Sequence, residues 1–491
     1  VEKELRIKAI SGILYNSFAK VVTYLLRIGA NVILAQNLGA NDYGVVGFAM
    51  IIVAFLSRFN DLGLGSAVVQ KTEVDQGSLY TAFSIKFILG TLICIFCIIL
   101  APAAKHFFDH PEIDLVIRVL AIILFISSFS FLPEAVLTRE LQYKKIALAN
   151  ILSILTRSMI AIALVLMGFK YWSLVWAEVG AALVQTLALR YFRRTKIVFR
   201  LEVKTAVRFI SFGGRVFLAG LATFLIFNAD NFIIGTFGGL TLLGFYALAF
   251  NWASAMCGVL SDTIGSVLFP TLSKMQKDRE GIKRAYIKVL EYTGFVGIIG
   301  NVTLTVNAKE IFVFVLGRGT DKWIPAVTAF EVLCFYGMIR IVLEPVGNVL
   351  LALGKPGILL RANLLAGTLE VSLLYFALRY GGINGVAILV TATYAIQYII
   401  YFPFLKRELG ITWSEIAAVI KPALICGFAV MVSAYVIGSE MEFSIASMVA
   451  KAVYCVGGYL ILYGVLTQWR IFKEARAIFD SRLLAKTNLT Q

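Results

Sequence analysis

Charge is scarce in this 491-residue chain: 15% of its residues are Asp, Glu, Lys or Arg, against roughly 25% in an ordinary soluble protein. Histidine is scarcer still. The two histidines, His106 and His110, share one short loop, which leaves little scope for acid–base catalysis. No GxSxG elbow, HExxH pair or glycine-rich phosphate loop occurs, so the recognisable hydrolase, metalloprotease and nucleotide signatures are missing. The six cysteines all fall inside apolar runs, where thiols behave as small hydrophobes. Cys94 and Cys97 form a CxxC, but no second pair or nearby histidine completes a metal site. These absences exclude soluble enzymes, disulfide scaffolds and disordered regulators, and no catalytic residue or metal ligand is assigned.

What the chain does have is hydrocarbon: 59% of residues are hydrophobic and the mean hydropathy is +0.85. A membrane-crossing helix needs about 20 apolar residues. Fourteen runs qualify, at 11–37, 43–69, 79–101, 113–133, 146–168, 171–192, 206–235, 242–271, 285–307, 324–352, 357–379, 383–405, 416–437 and 443–466. They are continuous rather than alternating, which excludes a β-barrel.

The net charge of +16 comes from 45 Lys and Arg against 29 Asp and Glu. In a soluble domain such an excess points to nucleic acid. Here alternate connections differ sharply. The N-terminus, the loops near 71, 139–145, 193–204, 274–284, 355 and 406–407, and the C-terminal tail hold 25 cations, and the opposite loops hold 6. By the positive-inside rule the rich side is cytoplasmic. Both termini of a multi-pass membrane protein are therefore expected in the cytoplasm, with no nucleic-acid partner.

A shift of 200 residues aligns 11–69 with 211–269 with 11 of 59 positions identical, against about four or five expected from composition. Six helices separate the copies, so they share one orientation, a parallel repeat about the membrane normal. The expected fold is all-α, with 14 transmembrane helices as two six-helix lobes and a terminal pair. The segments are an amphipathic stretch (1–10), an N-terminal lobe (11–192), a basic linker (193–205), a C-terminal lobe (206–405), the helix pair (416–466) and a basic amphipathic tail (467–491) suited to an anionic leaflet.

Charge inside the spans costs about 2.5–3.5 kcal/mol per group on insertion scales and usually has a use. On the first helix Asn16, Lys20, Thr23, Arg27 and Asn31 recur at spacings of three and four, which aligns them on one face. Arg58 and Asp61 on the second helix are three apart and able to pair. Lys86, Arg157, Arg215, Arg340 and Arg361 extend the set of candidate anion-binding cations. Arg157 can alternatively pair with Glu178, and Arg340 with Glu344. Asn251 and Asp262 on the eighth helix are further candidate cavity residues. The second lobe also carries acids, and Asp230 or Glu370 is a candidate for a coupling ion. Lys451, in the last helix, has no assigned role.

The stretches LGANDYGVVGF (38–48), DLGLGSAVVQ (61–70), LTRELQYKKIA (137–147), DNFIIGTFGGLTLLGFYALAFN (230–251) and LGKP (353–356) resemble the bacterial polysaccharide repeat-unit flippases of the multidrug/oligosaccharidyl-lipid/polysaccharide exporter superfamily. The resemblance implies a central cavity lined by helices 1, 2, 7 and 8. It implies transport of an undecaprenyl-diphosphate-linked oligosaccharide between leaflets by alternating access, with Arg27 and Arg58 as the nearest counterparts of cavity arginines; Lys20, on the same polar stripe of the sequence as Arg27, is a further cation able to hold the diphosphate. It further implies Asp230, with Asn363 and Glu370, as a site for a Na⁺ or H⁺ coupling ion, and no resident cofactor. Expected partners are the lipid-linked glycan, membrane lipids and polysaccharide polymerase machinery, with the protein itself a monomer. The competing readings are a cation-coupled drug exporter, disfavoured by the basic first lobe, and a membrane polymerase or glycosyltransferase. The latter is disfavoured because the longest outer loop, 308–323, has only 16 residues.

Overall fold

The computed structural model describes residues 22–65, 68, 75–108 and 111–474, and all regular structure among them is helical. Asn16 and Lys20, the 1–10 segment and the tail beyond Glu474 lie outside the described residues. The helices are α1 (22–37), α2 (Ala40–Asp61), α3 (Gln76–Phe108), α4 (Glu112–Arg139), α5 (Tyr143–Leu166), α6 (Trp172–Phe192), α7 (Val203–Ile233), α8 (Leu240–Lys274), α9 (Arg279–Val306) and α10 (Val327–Ala352). The continuous segment Pro356–Leu409 breaks at Gly382, whose φ of 57° and ψ of −150° suit a residue without a Cβ. It therefore comprises α11 (356–381) and α12 (383–409). Helices α13 (Trp413–Ser439) and α14 (Ile445–Leu466) complete the chain. Twelve of the described helices are long and apolar enough to cross a membrane. With Pro356–Leu409 divided and α1 added, the arrangement is consistent with 14 crossings.

Local sequence sets several boundaries. Thr412 and Glu415 form a reciprocal cap at the start of α13, with the Glu415 carboxylate accepting from the Thr412 amide at 2.9 Å. Asp278 accepts from the Gly281 amide at 2.8 Å and starts α9. The largest core cluster joins both lobes through α2, α4, α8 and α10 and includes Phe48, Tyr246, Phe312 and Phe330. The terminal pair packs on α9.

The crossing of α2 and α8 fixes how the lobes meet. A Cβ on Gly44 would lie 1.8 Å from the Leu240 carbonyl oxygen, and one on Gly244 would lie 1.8 Å from the Ala40 carbonyl oxygen. Both glycines, and both carbonyls, are 200 residues apart, so the contact obeys the offset of the internal repeat. Only glycine permits two backbones to approach this closely.

Beside that crossing, on the side away from the basic loops, the connection from α9 to α10 closes over the end of α1. The Lys322 ammonium donates to the carbonyls of Gln36 at 2.7 Å and Leu38 at 3.1 Å. The Trp323 indole N–H donates to Ala35 O at 3.0 Å, and Gln36 Nε2 donates to Val315 O at 2.9 Å. These are the carbonyls that the end of a helix leaves without intrahelical partners, and a cation suits that end of the helix dipole.

Candidate functional site

The intramembrane cations divide by whether they have partners. Lys86 is only 6% exposed. Its ammonium donates to Asp61 Oδ1 at 2.9 Å and lies 5.7 Å from the centre of the Phe131 ring. Two expectations are thereby corrected. Asp61 pairs with Lys86 on α3 rather than with Arg58 one turn away, and Lys86 neutralises a neighbour instead of standing ready for substrate. A buried ammonium without a partner is strongly destabilising, and α3 delivers Lys86 at the height of Asp61.

Arg157 pairs with Glu178 on α6 at 2.5 Å. Arg340 donates to the Tyr336 hydroxyl at 3.0 Å and stands 3.9 Å from Glu344, so Tyr336 is its nearer partner. Lys451 and Glu310, both buried, form an ion pair between α14 and the segment after α9. The lysine that lacked a role in the sequence thus ties the terminal pair to the second lobe.

Arg27 and Arg58 are different. Both are exposed, and neither has an ion pair or hydrogen bond among the described residues. Arg27 lies within electrostatic reach of Tyr24, Arg157 and Glu178. The Arg58 guanidinium stacks over Phe224 of α7, 5.2 Å from the ring centre. Counting along α1 and α2 from the turn that joins them, Arg58 lies about 12 Å nearer the basic side than Arg27, at 1.5 Å per residue. Arg361, near the start of α11, is also exposed and without an ion pair among the described residues. Asn31 accepts a long bond from the Tyr43 hydroxyl at 3.4 Å, Thr23 has interactions of its own, and Asn251 is exposed. The side chains of Arg215 and Asp262 lie outside the described ones.

The acids of the second lobe converge. Asp230 is 4% exposed and Glu370 is 7% exposed, and both line a cavity of about 40 Å³ together with Asn363, Thr393 and Gln397. Asp230 accepts from the Tyr246 hydroxyl at 2.8 Å and from Asn231 Nδ2 at 2.9 Å. Asn363 Oδ1 accepts from Gln397 Nε2 at 2.5 Å and from the Tyr401 hydroxyl at 2.8 Å. Glu370 has no hydrogen bond among the described residues. The cavity has room for a water-sized guest, and two facing carboxylates with no cation lining the cavity are relieved by a shared proton or a bound cation. Tyr246, Thr393, Gln397 and Tyr401 were not among the residues read from the sequence. The last three recur every four residues in an otherwise apolar run, a periodicity that marks one polar helix face.

A helical two-lobed membrane protein with unpaired cations on one lobe and a small acidic cavity in the other has the general plan of a membrane transporter. Residues 33–328 match the family described as polysaccharide biosynthesis protein, and the chain belongs to that family. It is 23% identical over 420 residues to lipopolysaccharide biosynthesis protein WzxC of Escherichia coli, covering 84% of each chain. To teichuronic acid biosynthesis protein TuaB of Bacillus subtilis it is 23% identical, covering 95% of this chain and 98% of the relative. Among solved structures, lipid II flippase MurJ in an inward closed conformation matches with a TM-score of 0.78 at 14% identity, over 93% of this chain and 100% of that one. An inward-facing multidrug transporter of the MATE family matches with a TM-score of 0.63 at 16% identity, over 81% and 95%. At these identities the structural matches establish the fold.

Proposed function

We propose that this protein is a flippase that moves an undecaprenyl-diphosphate-linked oligosaccharide repeat unit from the cytoplasmic to the periplasmic or outer leaflet, for surface polysaccharide assembly. The observation that carries this reading is the division of first-lobe cations: Lys86 and Arg157 have acids of their own, whereas Arg27 and Arg58 do not. Two guanidinium groups at membrane depth with no ion pair among the described residues suit a ligand that brings its own anions. Guanidinium–phosphate contacts are among the strong, geometrically specific hydrogen bonds available to a protein. Their separation in height suits successive contacts as the diphosphate advances, and the sequence adds Lys20 as a third candidate cation.

Closure at the α2–α8 crossing and over the end of α1 is on the side that the charge asymmetry assigns to the periplasm. Rocking of the lobes about this closure would supply alternating access. Asp230, Glu370 and Asn363 would take the Na⁺ or H⁺ that couples the cycle. The setting we infer is the bacterial inner membrane, with both termini cytoplasmic, a monomeric protein, and delivery of the glycan to the polymerase machinery. The drug-exporter alternative gives the two unpaired arginines no ligand to hold, since a cationic drug would be repelled by them.

Reconstitution into liposomes with a lipid-linked glycan tests the proposal. Accessibility of the glycan to a membrane-impermeant lectin is expected to rise with time only in vesicles that contain the protein. A Na⁺ or proton gradient is expected to accelerate the rise. Equal accessibility with and without protein would refute the reading.

A further inference from the structure

A second cavity, of about 970 Å³, lies between the lobes and is walled by α2, α3, α7 and α11, with Ile117 contributed by α4. We propose that it seats the polyprenyl chain of the lipid-linked substrate, an assignment that rests on the flippase reading and gives its lipid tail a place. Three observations converge on this occupant. The first is chemical: the walls are almost wholly hydrocarbon, with the rings of Phe55, Phe96, Phe224 and Phe232 prominent among them. Aromatic faces offer a chain of double bonds and methyl branches extensive dispersion contact. The volume is at the upper end of what ligand pockets enclose.

The second observation is direction. On α7 the walls run from Ala222 to Ile233, about 16 Å along the helix axis at 1.5 Å per residue, and they lead away from the basic side. The third is charge at one end. Phe224, near the end of the groove closer to the basic side, is the ring on which Arg58 stacks at 5.2 Å. A lipid in the cytoplasmic leaflet has its anionic head toward the basic side and its chain toward the midplane. The sequence of an exposed guanidinium followed by an apolar groove repeats that order of head and tail, so the diphosphate at Arg58 and the chain in the groove are satisfied together.

The test uses the full-length protein in phosphatidylcholine nanodiscs and an undecaprenyl diphosphate that bears a diazirine on its chain and no glycan. After photolysis the labelled residues are mapped by mass spectrometry. Labels are expected on the groove segments of α2, α3, α7 and α11. Thr368 and Ser372 both line the groove and are exposed. Thr368→Trp is expected to cut this labelling about tenfold, because the indole fills space that the chain would occupy. Ser372→Trp is the second variant, used wherever the first alters the melting temperature. Leu373→Trp, at an exposed position of α11 that does not line the groove, is expected to label like wild type. Excess unlabelled undecaprenyl diphosphate should abolish labelling, and dioleoyl phosphatidic acid should not. Labels confined to other helices, or equal competition by phosphatidic acid, would overturn the assignment, the latter by marking a crevice for ordinary membrane lipid. Labelling requires no transport. Vesicles whose protein labels in the groove but moves no lipid-linked glycan would remove the flippase reading and leave the polyprenyl seat standing; transport without groove labelling would do the reverse.

Discussion

Gly44 and Gly244 occupy matching positions in the two lobes and do the same thing, each letting its helix rest on a carbonyl of the other lobe. Arg58 and Gly258 also match, and they do different things. Arg58 places a cation over Phe224, whereas Gly258 leaves room for Tyr24, whose hydroxyl would be 2.4 Å from a Cβ at that position. Tyr24 and Phe224 are themselves a matching pair, so the two contacts are one repeated contact with its chemistry changed. Asp230 and its partner Tyr246 match Ala30 and Val46 in the first lobe. At the α2–α8 crossing, where backbone meets backbone from both sides, the two glycines tolerate no side chain and are alike. Positions that face a cavity were free to diverge, into a half with spare cations and a half with clustered acids.

The comparison can be broken most severely at the crossing. Gly244→Val should cost about 3 kcal/mol or more, because overpacking against a carbonyl cannot be relieved by a rotamer change. Little monodisperse protein should be recovered in fluorescence-detected size exclusion. Gly47→Ala, one turn from Gly44 with nothing within 4 Å of the added Cβ, should be recovered like wild type. A smaller loss separates the paired cations from the unpaired ones. Asp61→Asn removes the ion-pair partner of the buried Lys86 and should lower stability by about 2 kcal/mol, seen as a lower melting temperature, with recovery in the Asp61→Asn, Lys86→Met double variant.

In the second lobe, Asp230→Asn should slow reconstituted transport about tenfold, the effect of losing roughly 1.4 kcal/mol of coupling. The residual rate should no longer respond to a Na⁺ or proton gradient. The smallest effect is expected outside the membrane. Glu408 accepts from Lys355, with Arg279 3.8 Å away, and the Lys355 hydrogen bond holds its carboxyl below the ordinary range. A carboxyl lowered by folding contributes stability above its unfolded pKa and loses it as pH falls through the folded value. Glu408→Gln should therefore lower the melting temperature slightly at neutral pH, by less than about 1 kcal/mol, and the difference should vanish in acid below the lowered pKa.

The helices were legible because hydropathy alone marks a span, and the repeat was legible because the glycines of the crossing are preserved in kind. The pairing of charges was not. Arg58 and Asp61 are one turn apart in sequence, yet Asp61 bonds Lys86 on another helix, since the relative heights of α2 and α3 decide which groups meet. Lys451 remained without a partner in the sequence because Glu310 lies 141 residues away. The loop 308–323 was read for its length and its few cations, and Lys322 showed its grip on α1 only once the end of α1 was beside it. Asp230 and Glu370 were legible as acids inside apolar spans, and the family resemblance joined Asn363 to them. Their neighbour Gln397 sat on a helix face whose polarity was written in the sequence but diluted by its apolar surroundings.

The central claim is that unpaired first-lobe cations hold the substrate and paired ones hold the protein. It is tested most directly by initial rates of lipid-linked glycan transport in liposomes for Arg27→Gln, Arg58→Gln and the charge-neutral pair Lys86→Met, Asp61→Asn, each at matched protein content. The account predicts losses of about 30-fold or more for each arginine, the loss of roughly 2 kcal/mol of charge-assisted binding. The neutral pair should run within about twofold of wild type, since its ions serve each other. Arginine variants that transport at the wild-type rate while the neutral pair fails would contradict it.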